Sequence, residues 1–163
     1  MKKIVLLFGL MTATVFSQEV RFQHIDPYIK KYGNFTSIEA LATQISIDFP
    51  SDIERARAAY SWVANHISYS YRNPFYIGGI QFYIITDEND YQRRLKREDQ
   101  KTLNKAFTNR KATCKGFALL FQRICELLQI ESYVILGYVK ESPQAIGFMP
   151  EKKNHSAVNF SGF

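Results

Sequence analysis

Apolar residues in this chain recur at helical spacing in its first two thirds and in short continuous runs near its end. The clearest helical pattern follows residue 50. Ser51 and Glu54 form a capping box, and Ile53, Ala56, Tyr60, Val63, Ala64 and Ile67 then recur at three- and four-residue steps, the signature of one buried helix face. SDIERARAAYSWVANHISY is therefore read as a helix. Upstream, HIDPYIKKY predicts a short helix over 24–32, entered at Pro27, which a first helical turn tolerates, and ended at Gly33. Thr36 and Glu39 match a second capping box, and Ile38, Leu41, Ala42 and Ile45 follow at helical spacing up to the break at Pro50.

Downstream the period changes. FYIGGIQFYIIT, residues 75–86, places aromatic and β-branched residues around Gly78 and Gly79, which predicts a hairpin. From Asp90 to Phe107 the chain reads as a helix with a long polar face. From Phe117 to Leu128 apolar residues cover most of the helical circumference, which predicts a central helix buried on most sides. YVILGYV, residues 133–139, is a continuous apolar run, and continuity predicts a strand covered on both faces. A turn-rich loop with Pro143, Gly147 and Pro150 follows, and NHSAVNF predicts a last short strand beginning at His155.

A length of 163 residues fits one domain. A composition 46% hydrophobic and 22% charged lies far from the low-hydrophobicity, high-charge signature of disorder. MKKIVLLFGLMTATVFS opens with Lys2 and Lys3, continues through an apolar run from Ile4 to Met11, and reaches small residues at Thr14 and Ser17. That layout predicts a secretory signal peptide over 1–17, cleaved near Ser17, ahead of a single domain over 18–163. The apolar run is shorter than the roughly 20 residues of a membrane-spanning helix, so no membrane span is expected. The mature protein is expected to be secreted or periplasmic.

The formal charge is +6, and much of it falls in residues 91–111. There Arg93, Arg94, Lys96, Arg97, Lys101, Lys105, Arg110 and Lys111 outnumber Glu98 and Asp99. Such a run is read as a solvated helix face. Export argues against nucleic acid as a partner, although an anionic polymer or envelope surface fits the charge.

Both cysteines, Cys114 and Cys125, lie in one helix-like run. Eleven residues at about 1.5 Å each separate them by roughly 16 Å, against the ~7 Å limit for a disulfide, so both are expected as thiols. Cys114 falls at the first turn, after Thr113 as candidate N-cap and beside Lys115, where the helix dipole and a nearby cation favour a thiolate. Cys125, three turns deeper, is expected to be an inert core thiol. A cysteine nucleophile needs a histidine within reach and a third group to orient it. His24 lies in an amphipathic leading segment and His66 at a helix end, where a packed or capping role is expected. His155 opens a strand after the buried one and could face Cys114.

Three blocks resemble the transglutaminase-like superfamily, particularly bacterial secreted members similar to kyphoscoliosis peptidases: DIERARAAYSWVANHISY, RKATCKGFALLFQRICELLQIESYVILGY and NHSAV. The resemblance implies an α+β fold with a papain-like core, N-terminal helices, and a buried Cys-bearing helix packed on a small antiparallel sheet. It implies cysteine peptidase or acyltransferase chemistry on amide bonds through a thioester, with Cys114 as nucleophile and His155 as base. Peptides, proteins or cell-wall amides would be the substrates, with no cofactor and no metal. The family's acidic residue lies on the strand after the histidine strand, and Phe163 comes eight residues after His155, so a Cys–His dyad of low activity is expected from a domain incomplete at its C-terminus. The family's Trp-Asn pair after the histidine is replaced here by Ser156 running into Ala157 and Val158. A non-catalytic binding module, or a fragment of a gene for the same fold, is the alternative.

Overall fold

A computed structural model describes residues 22–70, 85, 87–137 and 155–160, with the strand alone given for His155 and Phe160. The expected signal peptide, most of the expected hairpin and the loop around Pro143, Gly147 and Pro150 lie outside the described residues.

Three helices build the N-terminal part. Helix α1, Ile25–Ile29, buries both of its isoleucines completely. Helix α2, Ile38–Asp48, buries Ile38, Leu41, Ala42 and Ile45. Its cap is Ser37 and not Thr36: Ser37 is extended, and its hydroxyl accepts the Ala40 N–H at 3.1 Å. Two adjacent hydroxyls offer the same chemistry one residue apart, and Glu39 then sits in the first turn, where a carboxylate favours the helix dipole. The helix stops at Asp48, because Phe49 precedes Pro50 and is held extended.

Helix α3, Asp52–His66, begins with both halves of the Ser51–Glu54 capping box in place. Of its expected apolar stripe, Ala56, Val63 and Ile67 are buried, but the buried face extends to one side of it. Ala58, Ala59 and Trp62 are fully buried, whereas Tyr60 is 54% exposed and Ala64 is exposed. Runs of alanine allow two overlapping helical stripes, and the one carrying the indole of Trp62 buries more apolar area.

The chain leaves α3 into β1, Ser68–Tyr69. A 22-residue helix, α4 (Glu88–Asn109), leads to β2, Lys111–Ala112, which pairs in parallel with β1. Helix α4 buries only Leu103, Ala106 and Phe107, so its basic side is a solvated face, partly neutralised by pairs such as Arg94–Asp90 at 2.9 Å. Arg110 ends α4 in the left-handed region, φ 53°. Its guanidinium lies over the rings of Phe107 and Trp62, 4.4 and 4.8 Å from their centroids, and its carbonyl accepts the Ser68 N–H at 2.8 Å. Ring contacts and the β1 bond therefore offset a conformation that costs a non-glycine residue about 1–2 kcal/mol.

Helix α5, Cys114–Leu127, is the centre of the molecule, contacting α2, α3, α4, β2 and both strands that follow. Strands β3, Ser132–Gly137, and β4, His155–Phe160, pair antiparallel from Ser132 opposite Phe160 to Gly137 opposite His155. Coverage of β3 on both faces does not hold: Tyr133, Ile135 and Leu136 are each about half exposed. The two-stranded sheet rests on α5, and no described element packs on its other face.

Candidate active site

The segment that delivers Cys114 is short and tied at several points. The Ala112 carbonyl accepts the Ser70 N–H at 2.8 Å. Thr113 is extended, φ −86° and ψ 176°, and its carbonyl accepts the Phe117 N–H at 3.0 Å, which starts α5. Thr113 makes no side-chain cap bond. Cys114 is thus the first helical residue, half-buried, at the end of a helix where unsatisfied N–H groups and the dipole favour negative charge.

Lys115 does not reinforce that end as the sequence suggested. Its ammonium lies 2.5 Å from the Asp99 carboxylate on α4, so the opposite charge of Asp99 accompanies it at that end.

Cys114 opens onto an apolar groove of about 380 Å³. Tyr60, Ala64 and Tyr69 form one wall, Phe117 and Phe121 the floor beside the thiol, and Ser156 and Ala157 of β4 the other wall. Aromatic contacts fix the walls: Tyr69 stacks on Phe117 with centroids 6.1 Å apart, and Tyr60 meets Phe121 edge-on at 6.3 Å. Tyr60 and Ala64 were expected in the core. Their stripe, offset by one position from Ala59 and Val63, was the available signal for a site wall.

The other candidates separate cleanly. Cys125 is fully buried, and desolvation pushes its thiol up to about 12. Both cysteines are thiols rather than a disulfide. His24 is 62% exposed and 3.9 Å from Glu54. His66 stacks on Trp62 at 5.0 Å and places Nδ1 3.0 Å from the Trp62 carbonyl, the packed helix-end role expected of it. His155 opens β4, opposite Gly137; its neighbours Ser156 and Ala157 line the Cys114 groove, and its imidazole lies outside the described residues. Among the described residues no group of His, Cys, Asp and Glu could hold a metal ion.

A half-buried cysteine opening a central helix, with an antiparallel strand pair across its groove, is the arrangement of a papain-like α+β domain. The transglutaminase-like superfamily profile matches residues 39–161, and the chain belongs to that family. It is 26% identical to the kyphoscoliosis peptidase of Homo sapiens over 120 residues, and 24% identical to that of Mus musculus over 119. These matches cover 74% and 73% of this chain, which spans only 15% of the length of either relative. A crystal structure of a TGase aligns with 93% of this chain and 39% of its own, at 16% identity and a TM-score of 0.37. Among the described residues no helix is long and apolar enough to cross a membrane.

Proposed function

We propose that this is an exported cysteine acyl-transfer protein acting on peptide or protein amides, with Cys114 as nucleophile and His155 as proton carrier. The Cys114 thiolate attacks the amide carbonyl carbon. His155, having taken the thiol proton, returns it to the departing amine as the C–N bond breaks and a thioester remains. Water or a second amine then resolves the thioester, releasing the acid or a new amide and restoring the thiol. The backbone N–H of Cys114 serves as one donor to the developing oxyanion.

The observation that carries this reading is the position of Cys114 at the start of α5, facing a groove whose opposite wall is the strand that His155 begins. Family membership and the kyphoscoliosis peptidase matches support it. Export rests on the charged, apolar and small-residue layout before Gln18, and amino-terminal sequencing of the exported form should begin near there.

The test is the rate of iodoacetamide alkylation as a function of pH, with peptide mapping to separate the two thiols. Cys114 should react faster than an ordinary exposed thiol across the pH range, and His155→Ala should remove that advantage. An ordinary rate at Cys114 would overturn the reading. The groove's largely apolar lining favours, as a second reading, a module that holds an apolar segment without turnover, and it predicts that ordinary rate.

A further inference from the structure

The Cys114 groove does not end at its aromatic wall. Tyr60 and Ala64 are shared with a second cavity of about 410 Å³, whose other side carries Asp26, Lys30, Arg57 and Asn65. The two cavities therefore meet at Tyr60 and Ala64 of α3, one helical turn apart, with Arg57 a further turn back lining the second cavity. The ring of Tyr60 stands between them, held by Phe121 on the thiol side and by Arg57, whose guanidinium carbon is 5.5 Å from the ring centroid.

The second cavity differs sharply in chemistry. Arg57 grips Asp26 through Nε at 2.9 Å and Nη2 at 2.5 Å, which fixes the guanidinium and neutralises one unit of each charge. Lys30 is exposed and makes no ion pair among the described residues. The Asn65 amide nitrogen is committed to Ser61. One positive charge is left over, on a cavity that adjoins an apolar one.

We propose that this cavity is a specificity subsite for an acidic side chain of the substrate, which rests on the reading of Cys114 as an acyl-transfer nucleophile. An extended peptide lays an apolar side chain beside Cys114, crosses Tyr60, and presents a carboxylate to Lys30 and the outer edge of Arg57. The stripe from Ala64 to Arg57 covers about 10 Å, the reach of about three extended residues. The preferred substrate therefore carries Asp or Glu about three residues from the apolar position.

Protection of Cys114 from iodoacetamide tests this, using Ac-Glu-Ala-Ala-Leu-Ala-Ala-Glu-NH2 and its counterpart with Lys at both ends, so that either chain direction is sampled. The acidic peptide should protect at about fivefold lower concentration, the scale of an exposed charge pair, and about 0.5 M salt should shrink the difference. Lys30→Glu, at an exposed position, should invert the preference, and Lys30→Ala should abolish most of it. Equal protection by both peptides, indifference to Lys30→Glu, or protection by neither overturns the subsite. Failure of the nucleophile reading shows separately, as an ordinary alkylation rate at Cys114 with no peptide present.

Discussion

Gly116 faces Ala112 so closely that a Cβ at position 116 would lie 2.8 Å from the Ala112 Cβ and 3.4 Å from that of Ala106. The glycine two residues after Cys114 is thus what lets α5 settle against β2 and α4. Gly116→Ala should destabilise the fold even though it improves helix propensity by about 1 kcal/mol, because overpacking costs about 1–3 kcal/mol. Adding Ala112→Gly should recover much of the loss. Urea denaturation of the two single variants and the double variant checks this, and additive effects would show that the pair does not couple.

Helices with caps and a single apolar stripe were legible in advance: the Ser51–Glu54 box, the core set of α2 and the start of α5 at Cys114 all stand where the spacing put them. What the sequence hid was choice between near-equivalent options. Thr36 and Ser37 can both cap; Ala56 to Ala64 can present two stripes; an apolar run such as β3 looks the same whether one face or both are covered. The candidate site was half legible. The place of Cys114 at the start of α5 follows from the helical pattern, whereas the lining of its groove comes from residues far apart in sequence, Tyr60, Tyr69 and Ala157, which periodicity cannot relate.

Cys125 should act as a silent reporter of unfolding. With its thiol raised from 9.0 to about 12 by burial, it should resist alkylation in the native protein at pH 8 and react readily in denaturant. The unfolded chain releases this proton first, so stability should fall between about pH 9 and 12 by about 1 kcal/mol per pH unit. Urea midpoints across that range measure the slope after subtracting that of Cys125→Ala; an identical slope in the variant assigns it elsewhere.

The Asp26–Arg57 pair ties α1 to α3, and the hydrogen bonds from Arg57 hold the Asp26 carboxyl below the usual carboxylate range. A lowered value stabilises the fold above pH 3.8, with the contribution lost as pH falls below it toward the folded value. Both side chains are more than a third exposed, so Asp26→Asn should cost only about 0.2–1 kcal/mol at neutral pH. The variant and the parent should converge in thermal stability on acidification, and a constant gap would contradict the pairing.

Ser51→Ala removes the hydroxyl that accepts the Glu54 N–H and half of the box at the start of α3. A loss of about 1 kcal/mol is expected. Because Ser51 lies well before Tyr60 on the same helix, alkylation of Cys114 under native conditions should be unchanged, which separates scaffold stability from site reactivity.

The short parallel pairing of Ser68–Tyr69 with Lys111–Ala112 has a mechanical consequence. It clamps the end of α3 to the start of α5, so the wall bearing Tyr60 and Tyr69 and the floor bearing Cys114 and Phe117 travel as one jaw. Among the described residues the opposing jaw, β4, pairs with β3 and rests on α5. A bulky guest in the groove should therefore displace the strand pair sooner than it displaces Cys114.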